Sequence, residues 1–396
     1  MKPWLLLAMA AIASAQDFTQ RGFLDSTATF YPQTAPNDSG HAWDTELFQY
    51  EAFYKLGPYF RFAAGIDATV DSHQQTGRDF ALSWWDRGRQ RPAFEMRRLS
   101  AAYSRGKLTV EAGKQFIRWG KTDILTPTDR FAPRDYLNVV DTDFLAITAA
   151  RLTYGNQSDS IDVVLAPRFT PSRIPLLNER WSGLPSGLSL SELPPDFPGG
   201  PQFGARWNHI GQSLEYALAF YNGYDNLPLF RAQLPFIQAF YPQMRMYGGD
   251  AAIPLRLLTV KAEAAYFTST TPQSDEYVLY ELQLERQSGE WSFAAGYTGQ
   301  TVTDHRSTLF FSPERGFARA ITTVAAYTID TNRSLTFEGV VRQNGDGVLL
   351  KAIYSQAWGQ HWRATAGIAW IHGADVDFLG QYHRNSHAIL GVRYSF

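Results

Sequence analysis

The chain predicts an all-β fold: a transmembrane antiparallel β-barrel of about eighteen strands. Three observations carry that expectation. Segments of about ten residues alternate between apolar and polar side chains, and the connections between them alternate between very short and long. Beyond the first dozen residues, no stretch approaches the roughly 20 apolar residues that a spanning helix needs. A barrel crosses a bilayer without one, because only every second residue faces lipid.

The last segment shows the alternation most cleanly. Phe396, Tyr394, Val392, Leu390 and Ala388 share one face, while Ser395, Arg393 and Gly391 share the other. Terminal residues ordinarily fray, so an aromatic ending an unbroken alternation is expected to close the sheet against the first strand. At the other end, Met1 and Lys2 precede an apolar run from Trp4 to Ile12 and then Ala13-Ser14-Ala15. That is a secretory leader with a small-residue cleavage site. The expected organisation is a signal peptide over 1–15 and one barrel domain over 16–396, exported to an outer membrane. Aromatics at 15% suit two interfacial girdles. The absence of cysteine removes disulfides and a lipid-modified cysteine. A formal charge of −2 offers no basic surface for nucleic acid. The alternative at this level is a soluble β-sandwich or propeller behind the same leader.

Strands are expected near 18–32, 44–56, 58–71, 94–105, 107–119, 146–155, 160–171, 200–211 and 213–224. The remainder fall near 244–256, 258–269, 276–288, 290–302, 316–330, 333–344, 347–358, 361–373 and 383–396. Even-numbered strands end in tight turns such as Gly57-Pro58, Arg105-Gly106, Ser288-Gly289 and Gly359-Gln360. Every long connection (72–93, 120–145, 172–199 and 225–243) follows an odd-numbered strand. Short periplasmic turns and long outer loops produce that asymmetry. Sixteen strands is the alternative count, because the first strand is weakly patterned. The 172–199 loop is proline-rich, which disfavours strand pairing there and leaves a helical turn near 186–193.

A barrel of this size leaves an aqueous lumen unless loops fill it. Period-two phase directs Arg98, Glu111, Arg151, Glu263, Glu281, Arg342, Lys351, Arg363 and Arg393 inward as the pore wall. Glu215, Glu263, Glu281 and Glu285 gather on strands nine to twelve, and Arg342, Lys351, Arg363 and Arg393 on fifteen to eighteen. Two readings follow: a field across the lumen, or charges that solvate the wall and pair between strands. The third outer loop, 120–145, alternates acids and bases within about 26 residues, between anchoring aromatics and prolines. It is expected to fold into the lumen, with Trp119, Lys121, Asp123, Asp129, Arg130, Arg134, Asp135 and Asp143 forming a constriction. Asp123, Asp129 and Asp135 would then face wall bases among Arg98, Arg151, Arg342 and Lys351. Trp84 and Trp85 in the second outer loop, 72–93, either cap the barrel at the interface or stack on sugar rings and aromatic solutes.

Signals for catalysis are weak. His383 and His387 have a metal-binding spacing only on a helix, and they fall on a predicted strand. Gly-x-Ser-x-Gly and phosphate-loop motifs are absent from the sequence. Asp141 and Asp143 are read as constriction or Ca²⁺-loop residues rather than an acid–base pair. The expectation is a non-enzyme without catalytic residues, metal or cofactor.

The alternation ending in Phe396 resembles the closing-strand signature of Gram-negative outer-membrane β-barrels. The run Arg118-Trp119-Gly120-Lys121-Thr122-Asp123, followed by Pro127 and Asp129, is similar to one in porin-like and alginate-export-type channels. This local resemblance covers about residues 107–172. It implies a bacterial outer-membrane channel for passive diffusion of small hydrophilic solutes, constricted by its third loop as in general porins. The implied partners are outer-membrane lipid and lipopolysaccharide, the barrel-assembly machinery and the solutes, with a homo-oligomer left open. The alternatives are an exporter of polysaccharide or small molecules working with periplasmic partners, and a plugged structural or assembly barrel.

Overall fold

The computed structural model describes residues 17–185, 187–188, 190–306, 309–344 and 346–396. The leader expected over 1–15 lies outside the described residues, as does Ser186. Eighteen antiparallel strands form the wall. The first nine are β1 (Phe18–Phe30), β2 (Ala42–Leu56), β3 (Phe60–Asp71), β4 (Phe94–Arg105), β5 (Leu108–Gln115), β6 (Ile147–Gly155), β7 (Asp159–Ala166), β8 (Gln202–Ile210) and β9 (Glu215–Tyr224). The second nine are β10 (Gln243–Pro254), β11 (Thr259–Thr268), β12 (Glu276–Ser288), β13 (Trp291–Asp304), β14 (Ala320–Thr328), β15 (Arg333–Arg342), β16 (Gly347–Trp358), β17 (Trp362–Gly373) and β18 (His387–Ser395). Each strand pairs with its sequence neighbours, and β1 pairs with both β2 and β18, which closes the barrel. The weakly patterned β1 is a full strand: all 13 of its residues pair with β2. That decides the count in favour of eighteen.

The burial pattern is the reverse of a soluble protein's. On β12, Leu282 and Leu284 are 50% and 46% exposed, while the intervening Glu281 and Gln283 are each 1% exposed. Apolar side chains remain outward on strand after strand, which is stable only where the outer solvent is hydrocarbon. Aromatics mark its edge near the short turns, where Trp362 and Tyr394 pack at 4.9 Å and Trp291 and Tyr327 at 4.7 Å. At the seam, the backbones of Phe396 and Gly22 exchange hydrogen bonds of 2.9 and 3.0 Å. The Phe396 ring lies over Gly22, where any Cβ would come within 2.6 Å of it.

Nine loops leave the other rim: loop 1 (31–41), loop 2 (72–93), loop 3 (116–146), loop 4 (167–201), loop 5 (225–242), loop 6 (269–275), loop 7 (305–319), loop 8 (343–346) and loop 9 (374–386). Four boundaries lie four residues or more from expectation; one is the end of β7, at Ala166 rather than near 171. β5 ends at Gln115 rather than near 119, because Gly113 takes φ 123° and turns the chain off the wall. Pro313–Gly316 is a helical turn, and Gly380–Asn385 is a 3₁₀ segment, so β14 and β18 start later than expected. The expectation for loop 4 is corrected as well. Ser191–Asp196 is a strand in a small sheet with Phe236–Phe240 of loop 5, not a helical turn. Its ladder shifts between Leu193 and Asp196, skipping Pro194 and Pro195, which have no N–H to give.

Candidate functional site

Loop 3 crosses the inside of the barrel, and carboxylates of the far wall hold it there. Glu263 on β11 accepts backbone N–H bonds from Lys121 (2.7 Å), Thr122 (3.1 Å) and Thr128 (2.8 Å). It also accepts the hydroxyls of Thr122 and Thr128. Glu281, directly opposite on β12, accepts the Leu125 N–H at 2.7 Å. Lys121 pairs with Glu215 of β9, and Asp123 bonds Gln283 and lies 3.6 Å from Lys261. Farther along, Lys351 of β16 binds the Val140 carbonyl at 3.1 Å and pairs with Asp141. One loop thus touches the wall at β9 to β12 and again at β16.

The loop owes its shape to its own charges. Asp129 is 4% exposed; it accepts the N–H groups of Trp119 and Gly120, the latter at 2.7 Å, and pairs with Arg118 at 3.2 Å. A carboxylate receiving two consecutive backbone donors fixes a tight turn and fills the lumen side with peptide. Trp119 donates to Asp162 of β7 at 2.9 Å and meets Phe131 edge-on at 5.2 Å. Arg130 pairs with Glu314 of loop 7 at 2.8 Å, both well inside. Asp135 pairs with Arg91 of loop 2 at 2.8 Å and Arg173 of loop 4 at 3.1 Å. Burial pushes the Asp135 carboxyl up, but the two guanidiniums outweigh it and hold it below the ordinary aspartate value. Arg134 stacks on Phe144 at 4.2 Å, and Asp143 is exposed.

The residues expected on the pore wall make the contacts that follow, and the loop acids meet partners other than the wall bases expected for them. Arg151 pairs with Asp162 at 2.8 Å, Arg342 with Asp377 of loop 9 at 3.1 Å, and Arg98 lies over Phe53 at 5.7 Å. Lys351 meets loop 3, but through Asp141. Alternation specifies which face a residue takes, not which strand a loop reaches, so Asp129 and Asp135 find partners within the loops. Glu111 accepts the Ser100 hydroxyl at 2.7 Å. Arg363 donates to Ser355 at 3.0 Å, and Arg393 pairs with Asp25 at 2.6 Å.

Sequence reasoning missed four contributors. Gln283 and Glu314 hold loop 3 without any local motif to mark them. Arg97 joins Arg98 inside because β4 bulges there, Gly65 pairing with Arg98 and Ile66 with Met96. Lys114, which simple alternation places outward, is 1% exposed and pairs with Asp86 of loop 2. The glycine at 113 was the available signal, since glycine within a strand often marks a bulge.

Beside loop 3 lies a cavity of about 140 Å³ between it, loop 7 and β15–β16, lined by Leu125, Arg134, Val140, Glu314, Glu338 and Leu349. Nearer the mouth, a cavity of about 440 Å³ opens between loops 4, 5, 7 and 9.

A closed barrel of eighteen strands, apolar outside, polar inside and crossed by one loop, defines a transmembrane β-barrel of porin type. Comparison with solved structures agrees. The chain is similar to OccAB4 of Acinetobacter baumannii (TM-score 0.59, 8% identity, 96% of this chain and 98% of that one). It is similar also to OccK5 (OpdH) of Pseudomonas aeruginosa (TM-score 0.57, 8% identity, 96% and 98%). A BenF-like porin from Pseudomonas fluorescens Pf-5 gives a TM-score of 0.56 at 10% identity, with 96% and 98% covered. No family model and no curated protein matches the sequence. At these identities the likeness is one of fold. That fold and the outward apolar band together place the barrel in a bacterial outer membrane.

Proposed function

We propose that the chain is a passive channel for small hydrophilic solutes and that loop 3 controls the width of its passage. The observation that supports this most directly is the clamp: Glu263 and Glu281 hold the loop against β11 and β12, and Lys351 holds its far end at β16. Solutes would pass beside the loop, where Arg134 and Glu338 bring opposite charges to one cavity. Such a passage sorts by size and dipole rather than by net charge alone.

Single-channel recording in planar bilayers tests this reading. The unmodified barrel should give stable open steps, and deletion of residues 124–140 should raise each step several-fold. Deletion should also bare Glu263 and Glu281 to water and move the reversal potential toward cations. Unchanged conductance would place the loop outside the passage. A silent barrel would favour the plugged or partner-gated alternatives.

A further inference from the structure

β5 leaves the wall before its neighbours do. Its ladder with β4 stops at Leu99–Lys114, so Phe94 to Arg98 of β4 rise above it without a β5 partner. Loop 2 occupies that gap. Leu82 and Ser83 pair in parallel with Phe94 and Glu95, continuing the sheet where β5 has turned inward. Three bonds hold the insert: the Trp84 indole N–H donates to Thr148 of β6 at 3.1 Å, and Asp86 pairs with Lys114 and with Arg173 at 2.9 Å.

The insert carries its apolar side chains on the lipid side. Phe80 is 80% exposed, Leu82 56% and Trp85 40%, and Phe80 meets the outward Phe94 at 5.9 Å. The strip is therefore continuous with the band that the strands turn toward hydrocarbon. Next to it sit exposed bases. The Arg168 guanidinium lies 4.1 Å over the Trp85 ring, and Arg78 flanks Phe80 with Asp79 between them. Apolar rings beside arginines suit the boundary between acyl chains and anionic headgroups. We infer that loop 2 completes the barrel wall and lies in the outer-leaflet interface, with Arg78 and Arg168 meeting the phosphates of its lipid headgroups. A second copy of the chain is the less favoured cover, since the strip continues the lipid band instead of standing apart from it.

The chain has no cysteine, so single labels are unambiguous. Nitroxides at Phe80→Cys and Leu82→Cys, in refolded barrels in vesicles containing lipopolysaccharide, should collide with oxygen more than with a water-soluble nickel chelate. A label at Leu234→Cys, 75% exposed on loop 5, should show the opposite. Nickel access at 80 and 82 equal to that at 234 would overturn the interface. Exclusion of both reagents in an oligomeric species would assign the strip to a second copy and overturn it too. In the native barrel, spin-labelled phosphatidic acid should be preferred over phosphatidylcholine. R78Q/R168Q, checked for folding by heat-modifiable gel mobility, should lower that preference about twofold. An unchanged preference would overturn the headgroup contact. Should L82C misfold, F80C stands alone, because Phe80 is largely exposed and its ring meets Phe94 at a tilt.

Discussion

On β9 to β12, Glu215, Glu263 and Glu281 give their oxygens to loop 3, so that wall spends its acids on holding peptide in place. Across the lumen, Arg363 of β17 and Arg393 of β18 face a recess of about 250 Å³ in which Asp25 is the lining carboxylate. These two arginines are direct register partners, an unfavourable placement for like charges that the Asp25 carboxylate relieves at Arg393. Both walls are charged and both point inward. What separates them is whether backbone donors consume the charge, and that decides which side anchors a loop and which remains available to a passing solute.

The largest effect should come from breaking the acid side. Glu263→Ala strands three N–H donors, those of Thr122 and Thr128 buried, and should cost about 3 kcal/mol of loop anchoring, roughly a hundredfold in its opening equilibrium. Proteolysis of loop 3 in the folded barrel should accelerate accordingly, and open-channel current should become noisier. Glu263→Gln, which keeps an acceptor oxygen, should lose less. Asp129→Ala should behave like Glu263→Ala and leave ion selectivity nearly intact, since its carboxylate is sequestered within the turn.

The arginine side should give a different signature. Arg363→Ala with Arg393→Ala should shift the reversal potential toward cations by several millivolts in a salt gradient while barrel stability changes by under about 1 kcal/mol. If stability falls and selectivity does not, the recess is structural and the contrast between the walls fails.

A subtler outcome concerns the outer loops. Burial pushes the Glu179 carboxyl of loop 4 up to about 7; the Gln75 amide partly opposes the shift, and nearby Asp71 and Asp38 add to it. A raised acid is at ease protonated, so its penalty is absent below 4.5, grows as pH rises and is complete above about 7. Loop 4 should therefore be cleaved faster at pH 8 than at pH 5, by a margin that Glu179→Gln removes. The smallest effect belongs to Asp143→Asn. This exposed carboxylate should alter conductance and loop cleavage little, and a large change would place it in the passage after all.

The expectation was most accurate where the physics is local. Alternation in Val278–Glu285 or Trp362–Trp370 follows from side chains leaving opposite faces of a pleat, so strand positions and inward phase could be read directly. It failed where a backbone irregularity intervened: Gly113 turned Lys114 inward and shortened β5, and the Arg97 bulge added a base that period two had placed outside. It failed again at loop 4, whose prolines are tolerated because the ladder passes over them.

The sequence by itself determined the barrel, the positions of its regular strands and the loops long enough to reach inside. Those properties are written in neighbouring residues and in connection lengths. Only the assembled barrel decided that loop 3 ends on Glu263 and Glu281, that Asp135 answers to Arg91 and Arg173, and that loop 2 fills the wall beside β5. Residues 141 or more positions apart along the chain share hydrogen bonds there. No local spacing encodes such a meeting, because it depends on where a closed sheet carries each strand around the circle.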